Sequence, residues 1–587
     1  MPGGRGAVSA RVVAALSRRW FELVLFALAL IGCLLRFVGL SRQVVLGDEW
    51  HALIRASSSS VVTTLTTYIA RATSIPNNVY LRILLETCGW TELGTRMPSI
   101  LATLGTFVLL PRIVYRRLGS RLAAIVSTGL FAISNFWIFY GQNARPYAPF
   151  FLLLLATLDC FEEALVTGRL RSWAWFALWA ALGVYFHLYM LPAAAPLCLL
   201  ALVHQLWRAR AMRESPALII KRILRIGFGF ALWACLLLAL FAAPLKNGML
   251  GEFPPTGLQM NFDRSFFRAT VESLTGTAHT WVAWLLFAGS LLGVAFALPR
   301  RPLFISALLA TCLGSVAFML KQAPYGGDNA FVMLRYNLAV YLLYFVGAGA
   351  LCMLLARALG RVLTGRTRFG QPWAASALTG TSFLLFCSFV STLARDVQAI
   401  PNNFRQHAAF HEFLGRHRRD VIQLSDDYEA KEPTRIPSYY ATLAALPKPC
   451  AIVEYPLAIG DDQEPYYFYQ LTHGCEVFAG YSNRDTLGEA LGAEQNASKL
   501  RFRQLINIEH AGDVSETGAR YLLVHKNRTA EFRALQPGIG KLRARQEKTW
   551  NSELGRVLRE LKRSYGAPVY SDPLIEVFDL GRARSSP

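Results

Sequence analysis

From Trp20 to about Val390 the chain alternates long apolar runs with short turns that carry its polar residues. Spanning the hydrocarbon core of a bilayer takes roughly 20 mostly apolar residues in a helix. Candidate spans fall at 20–40, 98–115, 121–139, 147–164, 173–186, 188–206, 227–245, 281–298, 302–320, 336–356 and 374–393, which makes eleven crossings. The count is most exposed at His187, where one broken span in place of two would shift everything after it.

The loop between the first two spans is long for a helical bundle. Its segment SSVVTTLTTYIAR sets Val61, Val62, Leu65, Tyr68 and Ile69 on one face at helical spacing, which predicts an interfacial helix with that face toward lipid. A second long loop, 246–280, contains the irregular turn EFPPTG. From about Arg395 the pattern shortens to that of a soluble α/β domain. DVIQL at 420, AIVEY at 451, YLLVH at 521 and LIEVF at 574 read as strands. The stretch SELGRVLRELKRSYG reads as a helix with Leu554, Val557, Leu558 and Leu561 on its apolar stripe and Gly566 as its stop. The division predicted is a cytoplasmic N-terminus at 1–19, a helical bundle at 20–393 and an extracytoplasmic α/β domain at 394–587, a length sufficient for its own core.

Composition supports this division. Over 587 residues, 53% are hydrophobic and 17% charged, too apolar for a string of soluble domains. The formal charge of +22 raises the question of nucleic acid, and the placement of the charges answers it. Arg18–Arg19, Arg116–Arg117, Arg169 and Arg171, Arg208 to Arg225, Arg300–Arg301 and Arg357 to Arg368 all fall in alternate short turns. That is the signature of the cytoplasmic side of a membrane protein, and eleven spans put every cluster there and the tail outside. Phe21–Leu40 lacks a small-residue cleavage pattern, so it reads as an anchor and not as a removable leader. Eight of ten cysteines precede residue 400, mostly in apolar runs, and only Cys450 and Cys475 lie in the polar tail, where an oxidising compartment would let them pair.

With that topology, polar residues near span ends collect on the outer side. Asp48 and Glu49 follow the first span and Arg96 precedes the second. FYGQNARPYAPF brings Tyr140, Gln142, Asn143, Arg145 and Tyr147 to one turn, VYFHLYMLP places His187, and KQAPYGGDNAFVMLRYN contributes Lys321, Asp328, Arg335 and Tyr336. Ionisable groups at membrane depth are costly and usually line a cavity or pathway. Each also has a plainer reading. The two acids suit the first turn of the helix that EWHALIRA begins, Arg145 and Arg335 suit snorkelling to headgroups, Lys321 suits a loop, and His187 suits a satisfied core position. Those readings leave the convergence on one side unexplained.

The ordered set RFVGL…LGDEW, NNVYLRILL…LGTRMPSILATLG, FYGQNARPYA, VYFHLYML and MLRYNLAVYLLY resembles the GT-C superfamily of membrane glycosyltransferases, in the bacterial branch related to protein O-mannosyltransferases and aminoarabinose transferases. The resemblance covers about residues 20–350, and the tail segment IVEYPLAIGDDQEPYYFYQLTHGCEVFAGYSNRD is a weaker match to extracytoplasmic domains of relatives. One departure is SIPNNVYLRILLETCGW, with Asn77 and Asn78 where relatives often carry a His-Pro-Pro-Leu-Tyr-like entry.

The resemblance implies a multi-pass bundle of the bacterial inner membrane that transfers a sugar, with inversion, from a polyprenyl-phosphate donor to an envelope glycan, lipid or protein on the outer face. It implies Asp48 as base with Glu49 as helper or metal ligand, Arg145 and Arg335 as phosphate binders with Lys321 and Arg96 in support, and His187, Tyr147, Tyr336 and Tyr140 around the donor. A divalent cation stays open, since one acidic pair does not make a metal site. The chief alternative is a transporter or flippase of lipid-linked saccharides, a class that tends to show duplicated halves, and no such internal symmetry is visible in the chain.

Overall fold

The computed structural model describes residues 4–37, 49, 52–53, 55–56, 59–69, 73–88, 92–252, 264–276, 280–322, 330–366, 436–447, 450–455, 469, 472–473, 475–477, 519–526 and 554–582. The predicted span 374–393, the predicted strand at 420, Asp48 and Asp328 lie outside them.

The bundle is built from α1 (Gly4–Phe37), α2 (Val61–Thr66), α3 (Ile75–Thr87), α4 (Glu92–Leu118), α5 (Arg121–Ile133), α6 (Asn135–Gly141), α7 (Tyr147–Thr167) and α8 (Leu170–Phe186). It continues with α9 (Met190–Ala194), α10 (Pro196–Met212), α11 (Pro216–Lys246), α12 (Arg264–Thr275), α13 (Thr280–Ala297), α14 (Pro302–Gln322), α15 (Ala330–Tyr336) and α16 (Leu338–Arg366). Among the described residues seven helical stretches are long and apolar enough to cross a membrane. The chain is a multi-pass membrane protein, and its outward surface carries the exposed apolar side chains lipid requires, among them Phe26, Val108, Leu199, Leu238 and Leu313.

One end of the bundle is tied by ion pairs. Arg117 at the end of α4 meets Asp159 at 2.7 Å and Glu162 at 3.0 Å near the end of α7, and Arg116 also pairs with Asp159. Arg208 and Arg222 share Glu214 between α10 and α11. Small residues permit close helix crossings elsewhere. A side chain at Gly293 of α13 would collide with the backbone of α16 at Gly347, so glycine lets those two helices touch.

At the other end the helices break where the polar motifs lie. Helix α5 stops at Ile133, and the buried Arg36 of α1 donates to the carbonyls of Phe131 at 3.0 Å and Ala132 at 3.1 Å. These last-turn carbonyls lack intrahelical donors and carry the negative end of the helix dipole, so a guanidinium suits them. Beyond α8, His187 is extended, and Met190 packs on Gly183, where a Cβ would sit 2.7 Å from the Met190 side chain. The helix therefore breaks and the chain bends at His187. Helix α2 is shorter than the pattern predicted. The Thr66 and Thr67 hydroxyls bond the carbonyls of Val62 and Thr63, competing locally with helix continuation. Thr67 is extended, Val62 and Leu65 stay exposed, and Tyr68 turns inward and is buried.

The tail holds a five-stranded sheet, β1 (Ala451–Tyr455), β2 (Glu476–Val477), β3 (Tyr521–His525), β4 (Tyr570–Ser571) and β5 (Ile575–Asp579), in the order β2-β1-β3-β5-β4. β1 runs parallel to β2 and β3, whereas β5 is antiparallel to β3 and β4. Three of the predicted strands, at 451, 521 and 574, are thereby present. Helix 554–565 lies against the sheet with Val557, Leu561 and Tyr565 buried, and Gly566 ends it at φ +82°. Cys450 and Cys475 form a disulfide that closes a loop containing β1. Among the described residues the tail's apolar core shares no residue with that of the bundle.

Candidate active site

The turn from Gln142 to Pro146 joins α6 to α7 and is held from four sides. The Gln142 side-chain amide donates to the carbonyls of Leu35, at 3.3 Å, and Arg36 at the end of α1. Ser99 of α4 places its hydroxyl 2.6 Å from the Asn143 carbonyl and 3.0 Å from that of Arg145. The Ala144 peptide is gripped at both ends, its N–H donating to Glu49 Oε1 at 2.6 Å and its carbonyl accepting from Asn77 Nδ2 at 3.0 Å. A loop at membrane depth must satisfy its backbone groups internally. Here neighbouring side chains do so, and the result is a fixed mount for Arg145.

Glu49 is fully buried and faces an equally buried Arg96, which donates Nε to Oε1 and Nη2 to Oε2, both at 3.1 Å. Bidentate pairing of this kind is what makes a buried carboxylate tolerable. Asn77 is held in turn by Ser74, whose hydroxyl accepts its backbone N–H at 3.3 Å and caps α3.

Around His187 the second half of the site gathers. Its ring stacks on Phe150 at 5.4 Å and lies 5.3 Å from Tyr147, 5.6 Å from Tyr189 and 5.9 Å from Tyr336. Tyr189 and Tyr336 stack at 4.5 Å. Arg335 donates to the Tyr336 hydroxyl at 3.2 Å and sits over that ring. The Tyr189 backbone N–H donates to His187 Nδ1 at 3.3 Å, which leaves the hydrogen of the neutral ring on Nε2. Burial, and then the nearby guanidiniums of Arg145 and Arg335, push the His187 pKa down to about 3, so the imidazole is uncharged at physiological pH.

Of the residues the sequence singled out, Glu49, Arg96, Arg145, Tyr140, Tyr147, His187, Arg335 and Tyr336 thus fall in two linked clusters. Tyr140, buried, joins them through Tyr147 at 4.4 Å. Arg96 spends its Nε and Nη2 donors on Glu49, a positioning duty. Lys321, in the last turn of α14, is exposed and makes no hydrogen bond or ion pair with these groups among the described residues. Among those residues no group of three or more His, Cys, Asp or Glu side chains is placed to hold a metal ion. Sequence reasoning missed the roles of Arg36, Asn77, Ser99 and Tyr189. All four lie inside quoted motifs, and the signal was their polarity next to apolar runs.

Residues 78–233 match the family described as dolichyl-phosphate-mannose-protein mannosyltransferase. No curated protein sequence matches the chain significantly. Among solved structures, ArnT from Cupriavidus metallidurans in the apo state superposes with a TM-score of 0.50 at 12% identity, over 97% of this chain and all of that one, 100%. The same protein bound to undecaprenyl phosphate gives a TM-score of 0.49 at 12% identity, over 96% of this chain and 98% of that one. Residues 78–233 are thus similar to the dolichyl-phosphate-mannose-protein mannosyltransferase family, within a chain that shares the overall fold of ArnT.

Proposed function

We propose that the protein is a glycosyltransferase that moves a sugar from a polyprenyl-phosphate carrier to an envelope acceptor on the outer face of a bacterial inner membrane. The observation that carries this reading is the convergence of Arg145 and Arg335 on a buried, neutral His187, with the turn that carries Arg145 held by Glu49. Two fork-shaped cations in an apolar surround suit a phosphate that arrives on a lipid. No nucleotide-binding loop is needed, because the donor is lipid-linked.

Asp48 takes the role of base. Its neighbour Glu49 is committed to Arg96 and to the Ala144 N–H, which leaves Asp48 as the acid of the pair for the acceptor. The acceptor oxygen bonds to the anomeric carbon as the bond from that carbon to the phosphate oxygen breaks. The hydroxyl proton passes to Asp48, and the bonding pair stays on the phosphate, so a singly charged diester leaves as a monoester with a second charge. Arg145 and Arg335 meet that charge as it develops. The tail faces the same outer compartment, a placement supported by its Cys450–Cys475 disulfide and by arginines at the opposite helix ends.

The test is release of carrier phosphate from a panel of polyprenyl-phosphate sugars by purified protein in detergent. Asp48→Asn should lower turnover about 10²–10⁴-fold while expression and membrane insertion persist. A fully active Asp48→Asn enzyme would remove Asp48 from the mechanism. Passage of intact lipid-linked sugar across vesicles without carrier release would favour the transporter.

A further inference from the structure

We infer that the N–H at His187 Nε2 is a third hydrogen-bond donor to the carrier phosphate, acting with Arg145 and Arg335 and never giving up its proton. The inference rests on the lipid-phosphate reading of this site and adds to it a specific atom and a specific kind of chemistry.

Three observations converge on that atom. His187 is buried, with about 1% of its surface exposed, and its Nε2 has no hydrogen-bond partner among the described residues. A buried donor without a partner is costly, on the order of 1–3 kcal/mol, and a site that keeps one has a use for it. The Tyr189 N–H occupies Nδ1, so the ring offers a donor at Nε2 and nothing else. Finally, the ring is fixed in direction. Phe150 stacks on one face, while Tyr147, Tyr189 and Tyr336 surround it, so the N–H cannot swing to another partner without unpacking four aromatic side chains.

The charged and titratable groups facing the ring are Arg145 from the turn before α7, Tyr147 from α7 itself, Tyr189 at the start of α9 and Arg335 with Tyr336 from α15. Two of these are permanent cations. They attract an anion and oppose a third positive charge, so a neutral N–H is the donor that fits between them. Releasing the Nε2 proton would leave an imidazolate, because Nδ1 already accepts the Tyr189 N–H and holds no hydrogen of its own. His187 thus binds the departing phosphate without protonating it, and the phosphate leaves with both charges held by hydrogen bonds.

The experiment uses the full chain in detergent and two soluble probes, farnesyl monophosphate and farnesol, which share an isoprenoid and differ by the phosphate. Changing His187→Phe should weaken farnesyl phosphate about tenfold or more and leave farnesol unchanged. His187→Gln, which restores an N–H near the place of Nε2, should recover most of the loss. Nitrogen spectra of histidine-labelled wild type should show the neutral Nε2–H form from pH 5 to 8, approximate bounds set by the depressed pKa, with that proton shifting on adding farnesyl phosphate. Equal weakening of both probes, no recovery in the glutamine variant, or a protonated ring near neutral pH would overturn the inference. If His187→Phe does not fold, the wild-type spectra decide. Wild type that binds the two probes alike would defeat the lipid-phosphate reading itself. Phosphate-selective binding untouched by His187→Phe would defeat only the role of His187.

Discussion

Glu49 in the bundle and Glu454 in the tail are both fully buried carboxylates, and their partners differ in kind. Glu49 is held by a guanidinium and spends one oxygen on a backbone N–H in a turn 95 positions away in sequence. Glu454, on β1, accepts from the Tyr440 hydroxyl at 2.8 and 2.9 Å and meets His525 of β3 at 2.7 Å. Above it, His473, Tyr440, Tyr469 and His525 form a run of stacked rings with centroids 4.4–5.7 Å apart. The tail cluster ties a helix, two strands and the disulfide loop to each other, and Glu454 at its centre is satisfied by a neutral phenol and an imidazole. In the bundle, the carboxylate instead fixes the backbone that presents Arg145, beside a histidine whose N–H is kept for another molecule. Burial alone therefore does not mark an active site; a buried charge that aims a neighbouring cation does.

The sharpest way to break this contrast is Glu49→Gln. Leaving Arg96 buried without its counter-ion should cost about 3–5 kcal/mol, read as a fall in thermal stability together with loss of transfer. The double variant with Arg96→Gln should recover part of that stability but not the activity, because a neutral amide oxygen holds the Ala144 N–H more weakly than the carboxylate does. Additive losses in the two single variants would mean that the pair does not act as a unit.

Next in size, Arg335→Ala should raise the KM for donor about tenfold or more, with the acceptor KM changed less than about twofold. Equal effects on both substrates would make Arg335 a structural group. A smaller consequence is expected from Glu454→Gln, which keeps the shape and removes the charge. It should lower tail stability by about 1–3 kcal/mol, seen as faster proteolysis of the tail, while carrier-phosphate binding persists. Least of all, Lys321→Ala should change donor KM by less than about twofold, as befits an exposed cation; a larger effect would return it to the site.

How much of this was legible in the chain depended on the kind of signal. Apolar periodicity located most helices within a few residues, and the Leu554–Leu561 stripe with its Gly566 stop was found where predicted. Arg145, His187 and Arg335 stood out because a charge beside an apolar run is costly wherever it falls. Helix breaks were less visible. Ser134 divides the run 121–139, where Arg36 of α1 takes carbonyls of the last turn, and Asn337 parts α15 from α16, its own side-chain amide donating to the Met333 carbonyl. The positioning work of Ser99 and Asn77 was hidden for a related reason. Each bonds a backbone group 44 or 67 positions away, and no local spacing encodes such a partner.

The most direct measurement compares farnesyl monophosphate affinity in wild type, Glu49→Gln and Glu454→Gln, each as full-length protein in detergent. If the phosphate seat is the Arg145 mount held by Glu49, the first substitution should weaken binding about tenfold or more, with the second within about twofold of wild type. Unchanged affinity in Glu49→Gln, or an equal loss in Glu454→Gln, would contradict it.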